Sequence, residues 1–267
     1  MERHRGTNRC AGTLVAALLL MPAATMAQTD YYNLDRGRPL TVEDPYPTER
    51  YALELQLATL RLERPAPGVW RWSWVPELAY GLAPRLQVEL GAPFGYTDAV
   101  GERRLEVEGL EGGLLYQLLW ESRRAPAIGV AVDGVAPREG PATATLRALA
   151  TRTWPALRLH LNAEATAGPP APVRDPEGPP RWRVGVAADR TWPLRSLLVG
   201  VEALVERPRQ PAAPHTLTLA VGLRRQLNPF TAVDVGLGRR LRGSDPAWIF
   251  TLGASTVVAR RAWIPGF

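Results

Sequence analysis

The chain has 267 residues and a formal net charge of +6, and all 32 of its basic residues are arginine. This modest excess is dispersed, whereas a nucleic-acid surface gathers basic residues on one face, so nucleic acid is set aside as a partner. Cys10 is the only cysteine, which excludes an internal disulfide and a thiolate metal site.

Residues 1–27 read as a secretory signal. Arg3, Arg5 and Arg9 form a basic start, Ala11 to Met21 an apolar run, and Thr25-Met26-Ala27 a small-residue cleavage site before Gln28. The apolar run is shorter than the ~20 residues of a membrane-spanning helix. Cys10 precedes that run, which disfavours lipid anchoring. Residues 28–48 show no period and carry Pro39, Pro45 and Pro47. They are expected to form an irregular periplasmic segment, either a disordered leader or a piece packed at one mouth of the domain that follows.

Residues 49–267 alternate. From Val69 to Leu82 one set is Trp70, Trp72, Trp74, Pro76, Leu78 and Tyr80, and the other is Arg71, Ser73, Val75, Glu77 and Ala79. After a short break, Leu86, Val88, Leu90 and Tyr96 alternate with Arg85, Gln87 and Glu89. Period-two alternation separates two faces of a strand, and two such runs joined tightly form a hairpin. Aliphatic residues flanked by aromatic ones are the signature of a strand facing lipid, and polar residues that of its lumen side.

In chain order, the first strand is predicted over 50–62, with Tyr51 outward and Glu54 and Gln56 inward. The opening hairpin supplies the second and third. The fourth, 109–120, sends Glu111 and Gln117 inward and Trp120 outward. The fifth and sixth, 127–135 and 142–154, send Asp133 and Arg147 inward and end at Trp154. The seventh, 156–167, has Arg158, His160, Asn162 and Glu164 inward. The eighth, 181–192, runs from Trp182 to Trp192 with Arg183 and Asp189 inward. The ninth to twelfth, near 197–205, 216–227, 233–238 and 248–255, add Glu202, Arg224 and Asp234 inward and Trp248 outward. Loops are expected at 63–68, 97–104, 136–141, 168–180, 206–215 and 239–247, with shorter turns between them. The sequence Arg152-Thr153-Trp154-Pro155 recurs as Arg190-Thr191-Trp192-Pro193 at two of those short turns.

The pattern predicts an all-β fold, a single antiparallel transmembrane barrel of about twelve strands after a cleaved signal. Short turns belong on the periplasmic rim, so both termini are expected in the periplasm, with the barrel in the outer membrane of a Gram-negative envelope. Tyr51, Trp70, Trp72, Tyr80, Tyr96, Trp120, Trp154, Trp182, Trp192 and Trp248 are the expected aromatic girdle. The inward charges could line a channel that selects by charge, or close the lumen by salt bridges. His160 has Asn162 two residues on, where a hydroxyl nucleophile would be needed. No nucleophile–base–orienter set can be assembled, so no enzyme, cofactor or metal is expected.

The stretch Tyr31-Tyr32-Asn33-Leu34-Asp35-Arg36-Gly37-Arg38-Pro39, with Val42-Glu43-Asp44, Tyr46-Pro47 and Glu49-Arg50-Tyr51, resembles the start of outer-membrane barrels of the phenol-degradation MetA-pathway transporter family. Pro76-Glu77-Leu78-Ala79-Tyr80-Gly81 is similar to the same group. The resemblance implies an outer-membrane channel or transporter for small solutes, aromatic or hydrophobic ones included. Lipids, the solute and the barrel-insertion machinery are then the expected partners. That machinery usually reads a terminal aromatic, which Phe267 supplies, although Pro265-Gly266 interrupts the strand before it. Two alternatives are a closed barrel with a structural or surface-binding role and a soluble periplasmic β-sandwich or lipocalin-like binder. The outward tryptophans oppose the soluble form, because such a band would aggregate in water.

Overall fold

A computed structural model describes residues 33–57, 60–99, 101–169, 179–243 and 246–260. The expected signal at 1–27 and the terminal Phe267 lie outside them. Sixteen strand segments hydrogen-bond into one antiparallel sheet, and the first eight join end to end in pairs, giving twelve strands. β1 comprises Ala52–Gln56 and Leu60–Ala66, and β2 comprises Val69–Trp74 and Glu77–Ala83. β3 comprises Leu86–Gly91 and Phe94–Ala99, and β4 comprises Glu102–Val107 and Gly109–Leu119. There follow β5 (Ala127–Pro137), β6 (Thr143–Thr153), β7 (Arg158–Ala167) and β8 (Trp182–Thr191). The last four are β9 (Leu197–Arg207), β10 (Thr216–Asn228), β11 (Thr231–Arg242) and β12 (Trp248–Arg260).

Each strand pairs with the next, and β12 pairs with both segments of β1. The sheet is therefore a closed twelve-stranded barrel. Closure satisfies the backbone groups that an open edge would leave unpaired. The alternation sets the register, since a slip of one residue would exchange the two faces. On β10, Leu219, Val221 and Leu223 are exposed on the outside while Thr218, Gly222 and Arg224 are buried within. The same division holds on β5 to β9, β11 and β12.

Two expected loops are strands instead. Glu63 pairs with Arg71 across a turn at Pro67-Gly68, where Gly68 takes φ 78°. Asp98 pairs with Arg103 and Thr97 with Arg104 across a turn that includes Gly101, φ 83°. Their charged residues suggested loops, but the antiparallel ladder extends through them. The longer connections on this side, here the loop rim, begin at 138–142. The opposite, turn rim carries 84–85, 120–126, 154–157, 192–196 and 229–230.

Two arginines near the turn rim, Arg152 of the repeated motif and Arg225, have a local role. Arg152 at the end of β6 donates to the carbonyls of Ala125 (2.9 Å), Arg123 (2.8 Å) and Ser122 in the preceding turn. Arg225 reaches back in the same sense to Ser196 Oγ at 2.5 Å. These two guanidinium groups each tie a strand end to the preceding turn on that rim. Trp72, Trp120, Trp154, Trp192 and Trp248 are exposed on the outer surface, and Tyr51, Trp70, Tyr80, Tyr96 and Trp182 are half-buried. Arginines lie over the rings of Tyr51, Trp70, Trp120, Trp154 and Trp248, at 4.4 to 5.9 Å from their centroids. Cation–π contact supplements burial there.

If the outer face meets hydrocarbon, Val221→Arg at the middle of β10 should cost about 2–4 kcal/mol of folding stability. Denaturant titration of the barrel refolded into lipid vesicles measures it. Thr218→Ser, on the inner face, should leave the midpoint within error.

Candidate functional site

The lumen is not empty. Residues 33–50, expected as a leader or a piece at the mouth, run inside the barrel from the turn rim and turn back at Tyr51 into β1. Tyr51 takes φ 67°, an uncommon conformation for a bulky residue. Its amide donates to the Gly81 carbonyl at 2.7 Å. Gly81 is required at this crossing, because a Cβ there would lie 2.0 Å from the Glu49 carbonyl oxygen.

Inside a barrel, the segment's amides need acceptors. Wall side chains supply them. Thr48 donates to Gln87 Oε1 at 2.5 Å, and Thr41 and Val42 donate to the same Glu202 oxygen at 2.7 and 3.0 Å. Glu43 donates to Asn162 Oδ1 at 2.7 Å, and Asn162 Nδ2 donates back to the Glu43 carbonyl at 2.7 Å. Thr251 donates its hydroxyl to the Pro39 carbonyl at 3.2 Å. Within the segment, Leu34 donates to Asp44 Oδ2 at 3.0 Å, which folds it into a compact loop.

Arginines pair wall with plug. Arg224 meets Asp234 of β11 at 2.6 Å, Asp35 of the segment at 2.5 Å, and the Asn33 carbonyl. Arg147 holds Asp133 through two bonds of 2.6 and 2.9 Å and also meets Glu43. Arg158 holds Asp189 at 2.8 and 2.9 Å and lies 3.7 Å from Asp44. Conversely, Arg38 of the segment pairs with Asp35 at 2.7 Å and faces Glu54 and Asp234 at 3.7 and 3.9 Å. Apolar contact completes the fit, with Leu40 and Val42 packed on Ala187 and Leu204. A Cβ at Gly185 or Gly222 would lie 2.7 Å from Val42 or Pro39 atoms, so these small wall positions accommodate the plug.

The sequence-predicted lumen set divides as follows. Glu54, Gln56, Gln87, Gln117, Asp133, Arg147, His160, Asp189, Glu202, Arg224 and Asp234 are buried on the inner side. Arg71, Glu77, Glu89, Glu111, Arg158, Asn162, Glu164 and Arg183 are half-buried there. Arg85 is a correction. It lies at the turn rim, donates to the Leu118 carbonyl at 3.3 Å, and places its guanidinium 5.7 Å from the Trp120 ring centroid. Period-two parity fails for it because it belongs to the two-residue turn preceding β3. The plug's own Arg36, Arg38, Glu43 and Asp44 were not among the expected lumen residues. Their signal was compositional: five charges interleaved with Leu34, Leu40 and Val42 over 34–44 match the lumen better than a leader.

Thr151 Oγ1, His160 and Asp189 form a chain of 2.8 and 3.1 Å contacts in hydroxyl–imidazole–carboxylate order. Thr151 is 0% exposed and His160 1%, and Asp189 is committed to Arg158. No substrate can reach that hydroxyl, so the array serves the wall. Among the described residues, no group of three His, Cys, Asp or Glu is placed to hold a metal. Arg36, at the loop-rim end of the plug, lies 3.5 Å from Asp133. Burial disfavours its charge, but Glu164, Asp133, Glu111 and Glu77 outweigh that and hold its guanidinium above the ordinary arginine range.

No family model and no curated protein matches the chain. Solved structures of the same fold do. The COG4313 outer membrane channel from Pseudomonas putida F1 is 16% identical with a TM-score of 0.55, over 84% of this chain and 99% of that one. The NanC porin is 7% identical with a TM-score of 0.53, over 78% and 100%. A KdgM porin solved with disordered oligogalacturonate is 12% identical with a TM-score of 0.51, over 77% and 99%. This chain thus shares the fold of outer-membrane β-barrel channels.

Asn162→Ala removes both bonds of the reciprocal pair with Glu43. At ~0.5–1.5 kcal/mol for each net bond, the plug should loosen by about 1–3 kcal/mol. Hydrogen exchange at the amides of Thr41 to Glu43 should quicken about tenfold, while exchange in β10 and β11 stays unchanged.

Proposed function

We propose that the chain is an outer-membrane channel for small solutes, closed at rest by its own residues 33–50. The observation that carries this reading is the contrast between the two sides of one wall. The outside is a continuous apolar surface with aromatic residues toward both rims, suited to lipid. The inside is rich in ion pairs and hydrogen bonds between wall and plug, beside two small apolar clusters, and a merely space-filling core would not require so many polar groups. The shared fold with outer-membrane channels supports the same reading.

The residues that resemble the MetA-pathway transporter family include Asn33 to Pro39 and Val42 to Asp44, which are the plug itself. That coincidence supports the family reading, in which the signature belongs to the part that would open or close the lumen. β1 begins and β12 ends on the turn rim. With that rim periplasmic, both termini fall in the periplasm, where a signal and the insertion machinery would act. The plug is held in the lumen by non-covalent contacts, and the polar ones among them can be replaced by water once it moves. Opening therefore amounts to an exchange of partners rather than unfolding of the wall.

A second reading, a closed barrel of structural role, is favoured by the same ion pairs if they never part. Planar-bilayer recording separates the two. The native chain should show brief, infrequent openings. Asn162→Ala and Glu202→Ala, which remove plug acceptors, should raise open probability severalfold. If neither the native chain nor the loosened variants conduct, the channel reading fails and the structural barrel stands.

A further inference from the structure

Near the loop rim, the outer face of β11, β12, β1 and β2 carries one mixed row. Arg239 stands opposite Trp248, and Trp248 opposite Arg64. The Arg239 guanidinium lies 4.9 Å from the Trp248 ring centroid, and that of Arg64 lies 5.0 Å from the Trp70 centroid. Arginine and tryptophan thus alternate across four adjacent strands. The next row toward the turn rim is wholly apolar, with Leu237, Phe250, Leu62 and Trp72 opposite one another in that order. The row after it, Val235, Leu252, Leu60 and Trp74, is apolar as well. Phe250 and Leu252 are 46% and 57% exposed, so this is a bare surface and not a core.

These two arginines differ from their neighbours on the same strands. Arg61 and Arg240 turn into the lumen, where Glu63 holds them at 2.6 and 3.1 Å. Arg64 and Arg239 turn outward, and among the described residues no carboxylate lies at ion-pair distance from either. Asp98, opposite Trp70 on β3, is taken by Arg103 at 3.4 Å. The row therefore offers two cations that the chain leaves unmatched. The apolar rows are an independent observation, and they say what kind of anion fits. Exposed leucine and phenylalanine on a barrel wall call for acyl chains. A partner that meets both rows carries an anion at one end and hydrocarbon at the other.

We propose that this face docks an anionic phospholipid. Its phosphate oxygens accept from the guanidiniums of Arg64 and Arg239, and its acyl chains lie along Leu62, Phe250 and Leu252. Trp248 stands between the two arginines, at the level where an aromatic ring favours the headgroup boundary. The forked donors of a guanidinium match phosphate oxygens in pairs. A zwitterionic headgroup brings its own cation, which the arginines repel. Free phosphate would leave the apolar rows uncovered. The inference rests on the barrel lying in a membrane and is independent of whether its lumen conducts.

The test is native mass spectrometry of the full-length barrel in detergent micelles, titrated with palmitoyl-oleoyl phosphatidylglycerol or with phosphatidylcholine of the same chains. The first phosphatidylglycerol should bind about tenfold more tightly than the first phosphatidylcholine. Arg64→Gln with Arg239→Gln should bring it down to the phosphatidylcholine level. Arg190 and Arg195 are exposed on the turn rim. Arg190→Gln with Arg195→Gln removes the same charge there and should leave the first phosphatidylglycerol as tightly bound as in the native chain. Excess sodium phosphate should not displace the lipid. If the native chain shows no preference, if the Arg64 and Arg239 pair of substitutions keeps it, if the turn-rim pair loses it as fully, or if phosphate displaces the lipid, the proposal is overturned. Should the Arg64 and Arg239 pair fail to fold, Arg64→Gln alone decides, with weaker phosphatidylglycerol binding upholding the site and unchanged binding overturning it. Refolding into lipid vesicles judges the membrane reading separately: a barrel that inserts without the preference loses only this site, and one that inserts into no vesicle loses both.

Discussion

A backbone amide inside a barrel has to find an acceptor, and this requirement ties the plug to the wall. The wall's own backbone groups are mostly used in the ladder, so wall side chains and the segment's own carbonyls serve it, as where Asp44 donates to the Leu34 carbonyl at 3.0 Å. Gln87, Asn162 and Glu202 each accept from it at 3.0 Å or less. An unpaired buried donor costs about 1–3 kcal/mol, so a segment lacking these acceptors would not stay in the lumen. The polar residues on β3, β7 and β9 thereby fix the path of a stretch more than a hundred residues away in the chain for β7 and β9.

The exclusive use of arginine follows the same logic. Arg224 bonds at once to a wall carboxylate, a plug carboxylate and a plug carbonyl. A lysine ammonium is a point charge and lacks the planar fork that addresses several acceptors in fixed directions. Buried pairs of this kind add little net stability, because desolvation offsets much of the attraction. Their effect is on position, since a misplaced plug would leave Arg147 and Arg224 with only their wall carboxylates, Asp133 and Asp234, and without Glu43 and Asp35.

Outside, the demands are simpler. Leucine and valine cover the wall of β5 to β12, and arginines with aromatic rings mark its ends. Arg152 shows how one residue can serve both purposes, lying over Trp154 while it donates to carbonyls of the neighbouring turn. Pro76 and Pro93 fall where β2 and β3 divide into two segments, which is where a closed ladder can accommodate a residue without an amide.

The sequence by itself determined the strands, their two faces and the barrel, because side-chain direction along a strand follows a period of two whatever the neighbours are. Leu219, Val221 and Leu223 against Thr218, Gly222 and Arg224 could be sorted without coordinates. Where polarity and alternation competed, as at Glu63 and at Arg103-Arg104, polarity suggested loops and the ladder continued. Arg85 was assigned inward by parity, yet the turn before β3 had already released it from that rule. The contents of the lumen were decided by tertiary structure alone. Residues 33–50 have no period, so nothing local states whether they lie in water, at a mouth or within. Their position follows from partners on β1, β3 and β5 to β12 that converge only when β12 closes on β1, and such convergence has no trace in the order of residues along the chain.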